Sequence, residues 1–150
     1  MEVAESVAIA ASLAEVWDYH FDLRAWPAWV DQFGAVAAGE NYPEEGSTLR
    51  WRSTPAGRGE VTETVVEHVP RRLHVVTFAD PQTEGELRTS FQVEGEGTRV
   101  EQRLTYRLKR GGPFAWATDV LFIRSQQRRS MQRSLVRLKH EAEGLARLSA

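Results

Sequence analysis

A chain of 150 residues has room for one hydrophobic core and little more, and its −2 charge with 41% apolar residues is an ordinary globular balance. That balance points away from nucleic-acid binders and disordered chains, and the lack of cysteine excludes disulfides, thiolate nucleophiles and cysteine metal sites. The acid in MEVAESVAIAAS and the lack of any apolar run near ~20 residues argue against a signal peptide and a membrane span, so a single cytoplasmic domain over 1–150 is expected.

After a short apolar segment, Val3 to Ala10, the stretch Ser12-Leu13-Ala14-Glu15 has the form of a capping box, in which hydroxyl and carboxylate satisfy each other's free backbone amides. The helix it starts carries Leu13, Val16, Trp17 and His20 at helical spacing, so one face is buried. Pro27 marks a second short helix, with Trp26 before it and Trp29, Val30 and Phe33 after it, ended by Gly34.

From Gly39 to Gly112 glycines and prolines separate segments of alternating character, read as five strands. The clearest runs from Arg99 to Leu108. Val100, Gln102, Leu104, Tyr106 and Leu108 share one face, and Arg99, Glu101, Arg103, Thr105 and Arg107 share the other. Leu87, Thr89, Phe91 and Val93 repeat the pattern, as do Leu49 and Trp51, which predicts an antiparallel sheet of consecutive hairpins covered on one side. The cover is the last segment. Gly111-Gly112-Pro113 opens a helix of ~35 residues whose apolar stripe is Val120, Met131, Leu135, Leu138, Ala142 and Leu145, with Arg129, Arg133 and Arg137 opposite.

Five stretches occur in an order met in one known group of proteins: Val7 to Trp17 (VAIAASLAEVW), Trp26-Pro27-Ala28-Trp29, Val65 to Leu73 (VVEHVPRRL), Gly97-Thr98-Arg99-Val100, and Ser134 to Lys139 with Glu143. With them the chain resembles the superfamily of polyketide cyclase/dehydrase, StAR-related lipid-transfer and birch-pollen-allergen-like proteins. The resemblance implies an α+β helix-grip fold: a curved antiparallel sheet of six to seven strands around a long C-terminal helix, with two short helices after the first strand. It also implies a cavity for a hydrophobic or amphipathic small molecule, lipid-like or polyketide-like. It carries over no catalytic motif, since fold is a poor guide to function.

Chemistry is then sought in polar groups on faces that should be dry, because burying them unpaired costs several kcal/mol. Gln102 falls between Val100 and Leu104, and either anchors a ligand or bonds a neighbouring side chain. Glu63 falls between Val61 and Val65. It is either an inward carboxyl suited to acid–base work or, if the strand bulges there, a solvated one. Arg124 lies in the middle of the helix stripe with Arg128 at its edge, and either pairs with Glu63 or reaches water at a cavity mouth. His20 is expected half-buried behind the pocket, and His68 and His74, flanking Pro70, are expected exposed. No histidine pair has metal-ligand spacing and Gly95-Glu96-Gly97 lacks the context of a nucleotide loop, so no metal, no cofactor and no nucleic acid are expected.

Three functions remain open. The first is a binder, monomeric or homodimeric, whose ligand is lined by Trp29, Trp51, Phe91, Gln102, Leu104, Tyr106, Val120 and Arg128, with Trp29 preferred to Trp26. The second is a cyclase, aromatase or dehydratase in which Glu63, Arg124 or Tyr106 moves protons or stabilises an enolate. The third is an accessory factor that grips another polypeptide through exposed aromatic surface, which requires an exposed Trp26/Trp29 pair.

Overall fold

A computed structural model describes residues 1–109 and 116–150. The chain order is β1 (Glu2–Ile9), α1 (Leu13–Phe21), a 3-10 turn (Leu23–Ala25), α2 (Trp26–Trp29), β2 (Phe33–Ala38), β3 (Thr48–Ser53), β4 (Glu60–Val69), β5 (Leu73–Ala79), β6 (Thr83–Glu94), β7 (Gly97–Leu108) and α3 (Trp116–Ser149). The seven strands form one antiparallel sheet in the order β1-β7-β6-β5-β4-β3-β2. Every step but one joins sequence neighbours, and β1 closes the far edge against β7, with Val3 opposite Leu104 and Ile9 opposite Thr98. This is the α+β helix-grip arrangement that the resemblance implied.

Local chemistry explains the corner elements. Ser12 Oγ accepts from the Glu15 N–H and Glu15 Oε1 from the Ser12 N–H, both at 3.2 Å, so the capping box forms and α1 begins where the sequence placed it. The second short helix ends earlier than expected, at Trp29. Gln32 turns the chain at φ 57°, and Phe33 and Gly34 open β2 instead of closing the helix. Gly34 is there for close approach, since a Cβ would lie 2.7 Å from the Arg52 carbonyl oxygen of β3.

On α3 the buried stripe is Met131, Leu135, Leu138 and Ala142. Leu145, expected to continue it, is 48% exposed, and its neighbour Ala146 packs against the core instead. The helix is tied down by polar contacts at both sides. Glu143 accepts from the Ala10 N–H at 2.9 Å and pairs with Lys139, while Glu5 on β1 accepts from Gln132 at 3.1 Å. Gly111, Gly112 and Pro113, where the sequence places the start of this helix, lie outside the described residues. No helix of the described residues is long and apolar enough to cross a membrane.

Candidate functional site

The concave face of the sheet, α1, α2 and the middle of α3 enclose a cavity of about 110 Å³. Its apolar wall includes Trp26 and Trp29 from α2, Trp51 from β3, Val76 from β5, Leu104 from β7 and Met131 from α3. Its polar groups are His20, Asp31, Tyr42, Arg58, Glu63, His74, Thr89 and Gln102, with Gln127, Ser130 and Ser134 from α3. Asp31, Arg58, Gln127 and Ser130 also line a neighbouring cleft of about 760 Å³, bordered by Phe122, Ile123 and the loops around Ala56 and Pro81. The cavity therefore has a mouth, where these four residues stand, and an inner end at His20, Tyr42 and His74.

Glu63 lies between the two. Strand alternation points it inward with Val61 and Val65, and the three are buried together. A bulge does interrupt β4, but it falls beyond Glu63: Val65 pairs with Val76 and Glu67 with Val75, leaving Val66 as the extra residue. Burial pushes the Glu63 carboxyl up to about 7, against the opposing pull of the Arg58 guanidinium and the Trp51 indole N–H. The indole lies near the carboxyl without reaching full hydrogen-bond geometry, and Glu63 makes no hydrogen bond with the described residues.

Arg58 and Asp80 hold the mouth. Asp80, 5% exposed, accepts from the backbone N–H of Gln82 at 2.9 Å and of Thr83 at 2.7 Å, from Thr83 Oγ1 at 2.8 Å and from Arg58 Nε at 2.8 Å. Burial opposes its charge, but Arg58 and the two backbone donors outweigh burial and hold its carboxyl below the usual range. So fixed, the Arg58 guanidinium sits over the rings of Phe78 and Trp51, at 5.1 and 5.9 Å from their centroids. Asp31 secures the other side. Its backbone N–H donates to Ser134 Oγ at 2.9 Å and its carboxylate meets Arg137 at 3.2 Å and Arg133 at 3.6 Å, so these two arginines of the outer face clasp α2 to α3.

The same bulge moves a histidine. By simple alternation His68 belongs on the outer face, but the extra residue at Val66 rotates it onto the concave face, opposite His74. The expectation that both are exposed is therefore corrected: His74 is 4% exposed and His68 half-buried, with their Nδ1 atoms 2.9 Å apart. Burial, then the His68 neighbour, takes His74 down to about 3. His20 is also buried and lowered well below its usual value, by burial first and then by His74 and His68. Tyr42, whose hydroxyl is 3.4 Å from His74 Nε2, is raised well above its usual value by burial and by Glu63.

Of the residues marked in the sequence, Trp29, Trp51, Glu63, Gln102 and Leu104 meet at the cavity. Phe91 is a core plug instead, packed edge-on to Trp17 and His20 at 4.8 and 5.2 Å between centroids. Tyr106 is buried opposite Gly85 and does not line the cavity. Arg124 is exposed, because α3 turns its neighbour Ile123 toward the core, and Glu63 has Arg58 as its cation instead. Arg128 is spent on Glu5 of β1 at 3.4 Å, and Val120 is partly buried away from the cavity. Trp26 and Trp29 both line the cavity, but the Trp26 indole donates to the His20 carbonyl at 2.9 Å whereas the Trp29 indole N–H has no partner among the described residues. Both are shielded from solvent, which removes the premise of the accessory-factor reading.

The sequence reading missed Arg58, Asp80, Tyr42 and Asp31, all of which precede or lie between strands. Asp80-Pro81-Gln82-Thr83 carried a signal: an aspartate before proline, able to bond the amides two and three residues on, is a turn former. Among the described residues no group of three or more histidines or acids is arranged to hold a metal ion.

A family model described as polyketide cyclase/dehydrase and lipid transport matches residues 1–143. The chain belongs to this family. No curated protein matches its sequence. Among solved structures, a Staphylococcus aureus protein of unknown function has a TM-score of 0.77 at 13% identity, with 98% of this chain and 96% of that chain covered. A Thermus thermophilus protein has a TM-score of 0.70 at 22% identity, covering 97% and 99%. DynU16, from the dynemicin biosynthetic locus, has a TM-score of 0.67 at 19% identity, covering 95% of this chain and 47% of its own. At such identities the likeness is one of fold, and the family's helix-grip frame is common to all of them.

Proposed function

We propose that this family member is a single-domain cytoplasmic binder, monomeric or homodimeric, of a small amphipathic molecule whose head fills the cavity. The observation that carries the reading is a set of buried polar atoms around one cavity with no hydrogen-bond partner among the described residues, Trp29 Nε1, Trp51 Nε1 and His20 Nδ1, beside the buried Glu63 carboxyl. Unpaired burial of each costs roughly 1–3 kcal/mol, a cost a ligand with matching donors and acceptors offsets. Size narrows the class. Ligand pockets run to roughly 300–1,000 Å³ and an engineered cavity of roughly 150 Å³ takes benzene, so a cavity of about 110 Å³ suits a carbonyl or hydroxyl head, with any ring reaching toward the outer cleft. A longer lipid-like or polyketide-like body would extend past Arg58 into the outer cleft.

The second reading, acid–base turnover of such a carbonyl compound, is favoured by Glu63 itself. A carboxyl poised at about 7 exchanges its proton near neutral pH, and one similar structure comes from a biosynthetic locus. Titration of tryptophan fluorescence separates the outcomes, since Trp26, Trp29 and Trp51 surround the cavity. Phenol, catechol and cyclohexanone are expected to shift the emission saturably, and fatty acids and sterols to do so more weakly. No response from any class sinks the binder. With a converted substrate in hand, Glu63→Gln that binds without turnover supports chemistry at Glu63, and full turnover in that variant removes it.

A further inference from the structure

We propose that Tyr42, His74 and His68 form a proton relay joining the inner end of the cavity to solvent. The inference rests on the site reading above for its purpose, though not for its geometry. Tyr42 and His74 line the inner end of the cavity, the Tyr42 hydroxyl is 3.4 Å from His74 Nε2, and His74 Nδ1 is 2.9 Å from His68 Nδ1. His68 and Tyr42 are both half-buried while His74 between them is 4% exposed, and the relay takes His68 as its solvent end.

The polarity of the chain follows from its members. A tyrosine hydroxyl donating to His74 Nε2 leaves the His74 proton on Nδ1, which donates to His68 Nδ1, which in turn carries its own proton outward on Nε2. In one outward transfer, the tyrosine oxygen takes a proton from a group in the cavity and passes its own to His74 Nε2. His74 releases its Nδ1 proton to His68 Nδ1, and His68 gives its Nε2 proton to water. One N–H or O–H bond forms and one breaks at each member, so no charge is left on the buried imidazole, where it is disfavoured. A single oxygen between Tyr42 and Glu63, from water in the free protein or from a ligand in the complex, completes the connection to the carboxyl.

The surroundings favour this route over the mouth. His74 is packed against Phe21 at 4.7 Å and Tyr42 at 5.8 Å between centroids, and His68 against Trp17 at 5.0 Å and Phe21 at 5.1 Å, which keeps the pair aligned. The charged or titratable groups facing them are Glu45, whose Oε1 accepts from the His68 backbone N–H at 3.1 Å, His20 beyond Phe21, and Glu63 acting on Tyr42. At the mouth, by contrast, Arg58 is paired with Asp80 at 2.8 Å and Asp31 with Arg133 and Arg137, and no chain of hydrogen bonds among the described residues leads from them to Glu63.

The test needs no ligand. In the intact protein, the infrared carbonyl band of protonated Glu63, identified by its loss in Glu63→Gln, is followed after a pH jump across neutrality. In His68→Gln and in Tyr42→Phe the final amplitude is expected to match the unmodified protein, while the relaxation slows about tenfold or more. Imidazole in the buffer is expected to restore part of the rate in His68→Gln. Unchanged rates in both variants, or slowing in His68→Gln that imidazole does not relieve, overturn the relay. These outcomes are independent of the fluorescence titration, so loss of the binding reading and loss of the relay are told apart.

Discussion

Arg58 and Asp80 meet at 2.8 Å, Nε to Oδ2, across the mouth of the cavity, and that contact aims a cation at the buried Glu63. Arg58→Leu removes the charge that opposes burial, so the Glu63 carboxyl is expected to titrate higher still, by about one pH unit, in an infrared or NMR titration. Asp80→Ala is expected to cost about 3 kcal/mol in urea unfolding, because two backbone amides, a hydroxyl and a half-buried guanidinium lose their acceptor together.

Stability should depend on pH through two opposed groups. Glu63 has a folded value raised from 4.5 to about 7, so its contribution is full below 4.5 and is lost as pH rises through 7. His74 has a folded value lowered from 6.5 to about 3, so its contribution is full above 6.5 and is lost as pH falls toward 3, and His20 shifts in the same direction. Urea unfolding is expected to show maximum stability near 6.5. Glu63→Gln should remove the decline above it, gaining about 3 kcal/mol over the unmodified protein at pH 8 and nothing at pH 4.

Gln102 lines the cavity from β7 and is 7% exposed, so its amide serves the cavity and not the surface. Gln102→Leu is expected to leave the unfolding midpoint within about 1 kcal/mol while weakening catechol binding about tenfold, read by tryptophan quenching.

Ser12→Ala removes one half of the capping box far from the cavity. It is expected to cost about 1 kcal/mol of stability and to leave phenol and catechol affinities unchanged.

Legibility followed the range of the signal. The capping box was readable because its two partners are three residues apart, and the inward Glu63 and Gln102 because strand alternation holds between adjacent residues. Arg124 failed because a helix wheel gives a stripe but not the rotation of that stripe on the sheet. One residue's difference sends Ile123 inward and Arg124 out. His68 failed because a single extra residue at Val66 inverts the faces downstream, and β4 shows no breaker that marks it.

The sequence by itself determined the order of the elements apart from β2, the antiparallel sheet, the covering helix and the inward strand positions that no bulge shifts, since these rest on periodicity and capping between near neighbours. Only the tertiary structure decided what stands around Glu63. Arg58 comes from a glycine-rich loop, Asp80 from a turn 22 residues later, Tyr42 from before β3, and the histidine pair from a bulged hairpin. Their meeting depends on how the sheet curves over α3, and a charge's effect falls with distance in space, whatever its separation along the chain.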